Sequence, residues 1–344
     1  MPSPLTGKVD MSELVLVTGG TGYVAGWCIT ALLQRGYDVR TTVRSLKKEQ
    51  TVRDAVGTVV DPGDRLSFAV ADLTSDEGWD EAVAGVDYAL HVASPLGGQE
   101  DLITPARDGA LRVLRAASKA DVKRVVMTSA ANAASPSSYK EEGITDETLW
   151  TDPEDPTLIP YRRSKTVAEK AAWAFVESEG KPELLTTILP GAVFGPILST
   201  GNLGSVQIIA RMVGGKMPGT PRIGLEIVDV RDLADIHLRA MTSPEAAGQR
   251  FLATGEFLWM RDMAVELKTG LGTDGAQVKT RQLPDFVVRL SALFDKPLRS
   301  IVVSLGRRNQ HSTAKAERVL GWKARPAAET VVACGRSLLD WKVI

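Results

Sequence analysis

The chain has 344 residues, 44% hydrophobic and 24% charged; at about 150 residues per domain that means roughly two domains or one large one, and it excludes a disulfide-stapled miniature or a wholly disordered chain. Forty-one basic residues against 42 acidic ones leave a formal charge of -1, so no positive field exists to attract a nucleic-acid backbone. The two cysteines, Cys28 and Cys334, lie far apart, as expected of a reducing compartment, here the cytoplasm.

Met1 to Ser12 is polar, lacks the apolar stretch of a secretory signal and reads as a frayed tail. The first apolar run, Leu14 to Thr18, is far too short to span a bilayer, and no membrane partner is expected. Strand-like runs at Leu14 to Thr18, Asp38 to Val43, Leu66 to Val70, Tyr88 to Ala93, Val122 to Thr128 and Leu184 to Leu189 alternate with helix-period stretches. That alternation predicts an α/β fold whose parallel sheet is covered on both faces. Between the first two runs, Trp27, Ala31 and Leu32 recur at helical spacing and Gly36 marks the stop.

After Pro190, glycine and proline punctuate the chain and the segments shorten, which predicts a second, smaller lobe. Ile227 to Met241 begins like a strand and ends like an amphipathic helix, so the chain should return to the sheet before finishing in the lobe. The expected organisation is a tail over 1–12, a dinucleotide-binding domain from 13–195 plus about 225–255, and an interleaved α/β substrate lobe from about 196–224 plus 256–344. His91, His237 and His311 stand in separate segments without metal-ligand spacing, so no metal is expected.

Two stretches carry chemistry. The first strand runs into Thr18-Gly19-Gly20-Thr21-Gly22-Tyr23-Val24-Ala25 and then a helix. Strand, tight glycine turn and helix start together suit a pyrophosphate, because glycine admits the ligand to the backbone and free amides donate to it. A doubly wound, Rossmann-type sheet follows from that context. A fold selecting NAD places an acid about 20 residues further on; here the stretch reads Thr41-Thr42-Val43-Arg44-Ser45, with Lys47 and Lys48 after it. A guanidinium flanked by lysines suits a 2'-phosphate, so NADP(H) is the expected cofactor. Further on, Tyr161 and Lys165 stand four apart at the start of a helix-period stretch that continues through Glu169, Trp173 and Val176. Phenol and ammonium therefore share one face, and a neighbouring cation favours the phenolate.

Taken with Asp72-Leu73, His91 to Pro95, Met127-Thr128-Ser129, Leu189 to Pro196 and Val228 to Ala234, these motifs resemble the extended short-chain dehydrogenase/reductase family. Within it they are most similar to the dihydroflavonol reductase, cinnamoyl-CoA reductase and aldehyde reductase branch, from about Ser12 to Trp322. The resemblance implies that Gly19, Thr21, Gly22, Tyr23 and Val24 hold the pyrophosphate, Arg44 with Lys48 the 2'-phosphate, and Asp72 with Leu73 the adenine. It further implies that Val92, Ala93 and Ser94 line the ribose side and that Thr128, Tyr161 and Lys165 touch the cofactor. Pro190, Gly191 and Val193 would receive the carboxamide. Its catalytic pair would be Tyr161 and Lys165, the lysine holding the tyrosine's pKa down.

One departure stands out: the serine that family members carry after the Thr-Ser pair is Ala130 here. Ser129, Asn132, a water or Tyr161 alone would then serve, with Ser129 taken as the third catalytic member. Pro95, Leu96, Ala133, Ala134, Phe194, Leu198 and Leu203 are candidates for the substrate wall, and their apolar character suits an aldehyde or ketone. Three readings follow: an NADPH-dependent carbonyl reductase, an NAD(P)-dependent epimerase, dehydratase or hydroxysteroid-type dehydrogenase, and a non-catalytic NADP-sensing protein. Intact Tyr161 and Lys165 favour an enzyme. The expected partner is a small carbonyl compound, and the expected state a monomer or homodimer.

Overall fold

The computed structural model describes residues 12–95, 102–138, 142–201, 203–294, 298–299 and 302–344. Strand β1 (Leu14–Val17) leads through the glycine turn into helix α1 (Tyr23–Gln34), and β2 (Asp38–Val43), α2 (Glu49–Gly57) and β3 (Leu66–Val70) extend the winding to one edge. The chain then crosses back through α3 (Trp79–Val83), β4 (Tyr88–His91), α4 (Ile103–Lys119) and β5 (Arg124–Thr128). A short β6 (Gly143–Thr145) precedes α5 (Pro160–Ser178) and β7 (Leu185–Pro190). Next come β8 (Ala192–Phe194), α6 (Val206–Val213), β9 (Gly224–Asp229), α7 (Val230–Thr242), β10 (Gln249–Ala253) and β11 (Phe257–Trp259). Helices α8 (Met260–Gly270) and α9 (Asp285–Ser291), strand β12 (Asn309–His311), and helices α10 (Ala314–Leu320) and α11 (Ala327–Asp340) finish the chain.

Seven strands pair in the order β10-β7-β5-β4-β1-β2-β3, each neighbour parallel to the next. The expected doubly wound parallel sheet is present. Strand order reverses between β1 and β4, and it is outside the carboxyl ends of strands at such a switch point that ligands bind. Side-chain alternation builds a core on each face. Val15 and Val17 of β1 join Ile29 and Leu32 of α1 and Leu233 of α7 on one side. Leu16, between them, joins Val113 and Leu114 of α4 and Ala168 and Ala172 of α5 on the other.

The three-residue strand β8 pairs in parallel with β9, which pairs antiparallel with β11, and this small sheet stands apart from the main one. The strand start predicted at Ile227 therefore lies in the small sheet, and β10 is the segment that returns to the main one. Phe194, Ile209, Met263, Leu267, Val331 and Leu338 form a third core among α6, α8 and α11. Near its end the chain comes back to the first core: Ala316, Leu320 and Trp322 are buried there. The Trp322 indole N–H donates to the Asp232 carbonyl at 2.8 Å, and Arg325 pairs with the Asp232 carboxylate at 2.6 Å.

Candidate active site

The glycine turn lies at the switch point, and its glycines are required by contact. Gly19 has φ +73°, and a Cβ on it would sit 2.9 Å from the Ala93 Cβ; one on Gly20 would sit 2.5 Å from Thr41 Oγ1. Strand β2 holds the turn in place: Gly19 N–H donates to Thr42 Oγ1 at 2.9 Å and Gly20 N–H to the Thr42 carbonyl at 2.9 Å. No side chain caps α1 at Gly22, and its first turn carries no acid, so its start is electrostatically suited to an anion. A small cavity opens beside the turn, between Gly20 to Tyr23, Val52 and Val56 of α2, and Leu198 and Ser199.

Arg44, Lys47 and Lys48 are exposed just beyond β2, next to the residues that hold the turn. Asp72 accepts from the Thr74 amide at 2.8 Å and hydroxyl at 2.7 Å. These bonds, aided by the charges of Arg44 and Arg112, hold its carboxyl below the usual range. Leu73 packs over Gly109, and its carbonyl accepts from Arg112. Across the switch point, His91 Nδ1 and Thr18 Oγ1 are 3.0 Å apart, and Ala93 N–H donates to the same hydroxyl at 3.0 Å. Burial, helped by the Lys165 charge, pulls His91 down to about 3, so it is neutral. Val92, Ser94 and Pro95 follow, half-buried; Leu96 lies outside the described residues.

Helix α5 starts cleanly because Ile159 is extended at its N-cap and Pro160 fills the first turn, where a missing N–H costs nothing. Tyr161, Lys165 and Glu169 then recur every four residues along one stripe. Tyr161 is 41% exposed and Lys165 8%. Lys165 Nζ donates to the Thr128 carbonyl at 3.4 Å, at the carboxyl end of β5. Thr128 Oγ1 lies 2.7 Å from His237 Nε2, and burial lowers His237 to about 4. Burial also lowers Lys165 to about 8, against the opposing pull of Glu169.

Four expectations need correction. The Tyr161 phenol is raised above 10 by desolvation, so the resting group is a protonated phenol rather than a phenolate drawn out by Lys165. Ser129 does not turn toward the tyrosine: its hydroxyl donates to Glu169 at 2.6 Å in the interior, because strand alternation sends it to the opposite side from its neighbours. Ala133 is fully buried against Leu189 and Leu252. Phe194 is fully buried in the third core, so neither it nor Ala133 presents a surface to a ligand.

Of the other predicted residues, Pro190 ends β7 and Gly191 passes so close to β9 that a Cβ would lie 2.3 Å from the Glu226 carbonyl. The Val193 carbonyl accepts from the Ser205 hydroxyl, and Leu203 is half-buried. Ala130 is buried and Asn132 exposed. The sequence reading missed Arg162, whose buried guanidinium donates to the carbonyls of Asn132 at 3.1 Å and Ser135 at 2.8 Å. It thereby fixes the loop after β5 against the helix that carries Tyr161. Its only signal was its place beside that tyrosine.

The wound parallel sheet and the glycine turn at its switch point define a Rossmann-type α/β protein. Residues 15–253 match the NAD dependent epimerase/dehydratase family, and the chain belongs to that family. It is 35% identical to cinnamoyl-CoA reductase 1 of Petunia hybrida over 257 residues, covering 73% of this chain and 75% of that one. It is 33% identical to an anthocyanidin reductase ((2S)-flavan-3-ol-forming) of Vitis vinifera over 253 residues, 68% and 74% of the two chains. Among solved structures it is similar to Gre2 from Candida albicans in complex with NADPH, at 25% identity and a TM-score of 0.76, covering 96% and 99%. The branch named from the motifs is the one the relatives occupy.

Proposed function

We propose that this chain is an NADPH-dependent reductase of aldehydes or ketones, with Tyr161 as proton donor and Lys165 as its partner. The observation that supports this most is a juxtaposition. Tyr161 stands one helical turn from Lys165, which reaches the Thr128 carbonyl at the edge of the sheet where the glycine turn also lies. The relatives' activities point the same way, since cinnamoyl-CoA and anthocyanidin reductases are among them.

The residues present suit the cofactor. Gly19 and Gly20 let the turn pack against Ala93 and Thr41 where a Cβ would collide, and α1 opens with no side-chain cap and no acid in its first turn. Gly19, Thr21, Gly22, Tyr23 and Val24 would hold the pyrophosphate there, and exposed Arg44 with Lys48 would meet the 2'-phosphate. When bound, the reduced nicotinamide supplies the hydride that reaches the carbonyl carbon. Tyr161 gives its phenolic proton to the carbonyl oxygen as negative charge develops there, and the product is an alcohol. An ordinary phenol is protonated at neutral pH, and desolvation shifts Tyr161 further that way, the state a donor needs. Lys165, charged below about 8, stabilises the phenolate left behind and would hold the nicotinamide ribose. With Ala130 in place of a hydroxyl-bearing residue, Tyr161 is the side chain left to polarise the substrate oxygen.

The test is a panel of aldehydes, diketones and aromatic ketones, followed by consumption of NADPH and NADH. Tyr161→Phe should lower kcat by about 100-fold or more and leave NADPH affinity nearly unchanged. A variant that keeps most of its kcat, or a chain that oxidises NADPH with none of the panel, would overturn the reading.

A further inference from the structure

We propose that Glu169 is a positioning residue for the Tyr161–Lys165 pair: its carboxylate locks their helical stripe onto three strands and supplies the counter-charge one turn below the Lys165 ammonium. This rests on the reading that Tyr161 and Lys165 carry the reaction.

Glu169 is fully buried, and each of its oxygens is engaged. One accepts from Thr187 Oγ1 of β7 at 2.8 Å and from Arg250 Nε of β10 at 2.8 Å. The other accepts from Ser129 Oγ at the end of β5 at 2.6 Å and from a second Arg250 nitrogen at 3.4 Å. One carboxylate therefore ties α5 to β5, β7 and β10, which are neighbours in the sheet. Any sideways shift of the helix would break several of these bonds at once, so the height of Tyr161 above the sheet edge is set two turns below it.

Anchoring alone does not call for charge. Replacing a buried ion pair with apolar packing is often neutral or stabilising, so a carboxylate kept there invites a second use. Its charge lies one turn from Lys165, an ammonium taken almost wholly out of water. The groups that face Lys165 are His91 from β4, Thr128 from β5 with His237 behind it, and Glu169 from its own helix, on which Tyr161 stands one turn away. His91 and His237 are neutral and Tyr161 is protonated; Glu169 supplies the negative charge. Arg250 pairs with that carboxylate from the side of β10, and its guanidinium is shared with neutral partners. It donates to the carbonyls of Glu147 at 2.6 Å and Leu149 at 3.1 Å and lies 3.5 Å from the centroid of the Trp150 ring. Burial lowers the Lys165 pKa while Glu169 raises it, in agreement with that geometry.

The test titrates Lys165 itself, in the full chain carrying carbon-13-labelled lysine, with its resonance assigned by comparison with Lys165→Met. In Glu169→Gln the midpoint should fall by about one pH unit, and the high-pH limb of kcat should fall with it. Thr187→Val removes one hydrogen bond and no charge, so it should lower Tm and leave the midpoint in place. Because Glu169→Gln strands the Arg250 guanidinium, Glu169→Gln/Arg250→Met provides a second version in which the pair is removed together, and its midpoint should also lie below the parent's. If Lys165 titrates at the parent pH in both variants, the proposal is overturned, whatever happens to Tm. A chain that reduces no carbonyl yet shows the midpoint shift refutes the reductase reading and supports the electrostatic role.

Discussion

Lowering the pH from 6.5 to about 4.5 should remove about 4.5 kcal/mol of stability, and two buried histidines account for it. His91 is pulled to about 3 by burial and the Lys165 charge, and His237 to about 4 by burial, from an ordinary 6.5. Both folded-state values lie below the unfolded one, so below pH 6.5 the unfolded chain binds the extra protons and stability is lost as the pH falls. Each pH unit is worth at most about 1.4 kcal/mol per group, and because half of the unfolded imidazoles are already protonated at 6.5 the two units cost about 2.2 kcal/mol for each histidine. The aspartates with lowered pKa, Asp72 among them, lose most of their share near and below their ordinary 3.8, so most of the change in this window belongs to the imidazoles. Urea unfolding at a series of pH values measures it, with His237→Gln expected to remove about half the slope. A stability that stays flat between pH 6.5 and 4.5, or a His237→Gln variant with the full slope, would refute the reasoning.

Other outcomes follow from the site. Lys165→Met should abolish turnover and stabilise the fold by about 3 kcal/mol at pH 7, because the lysine's pKa falls from 10.5 to about 8 on folding. That gain should disappear above pH 10.5, where the lysine is neutral in both states, and thermal unfolding at the two pH values checks it. Arg44→Ala should weaken NADPH binding by about 10- to 100-fold, the worth of one charge-assisted bond, and leave NADH binding unmoved. Fluorescence titration with each nucleotide decides it.

The sheet was legible because parallel strands buried on both faces are nearly continuous apolar runs, as in Leu14 to Val17 and Leu185 to Pro190. The small sheet was not, because β8 and β11 have three residues each and no period can show in three positions. The glycine turn was legible for a backbone reason: Gly19 needs a positive φ and Gly20 has no space for a side chain. What escaped were consequences of neighbours brought from afar. Arg162 and Arg250 are defined by carbonyls and a carboxylate supplied by other segments. The raised phenol of Tyr161 comes from desolvation, which spacing along a helix does not reveal. Phe194 sat at the expected mouth of the lobe, but burial there depends on α6, α8 and α11 packing behind it.

The return of Ala316, Leu320 and Trp322 to the first core bears on how the protein is made. During synthesis β1, α1 and α7 leave the ribosome well before the tryptophan that covers them, so the core they share stays open until Trp322 has emerged. Domains generally fold as units as they emerge; here the first unit to appear is among the last to be sealed. Removing the segment that carries Ala316, Leu320 and Trp322 would thus expose the interior built around β1 and α1.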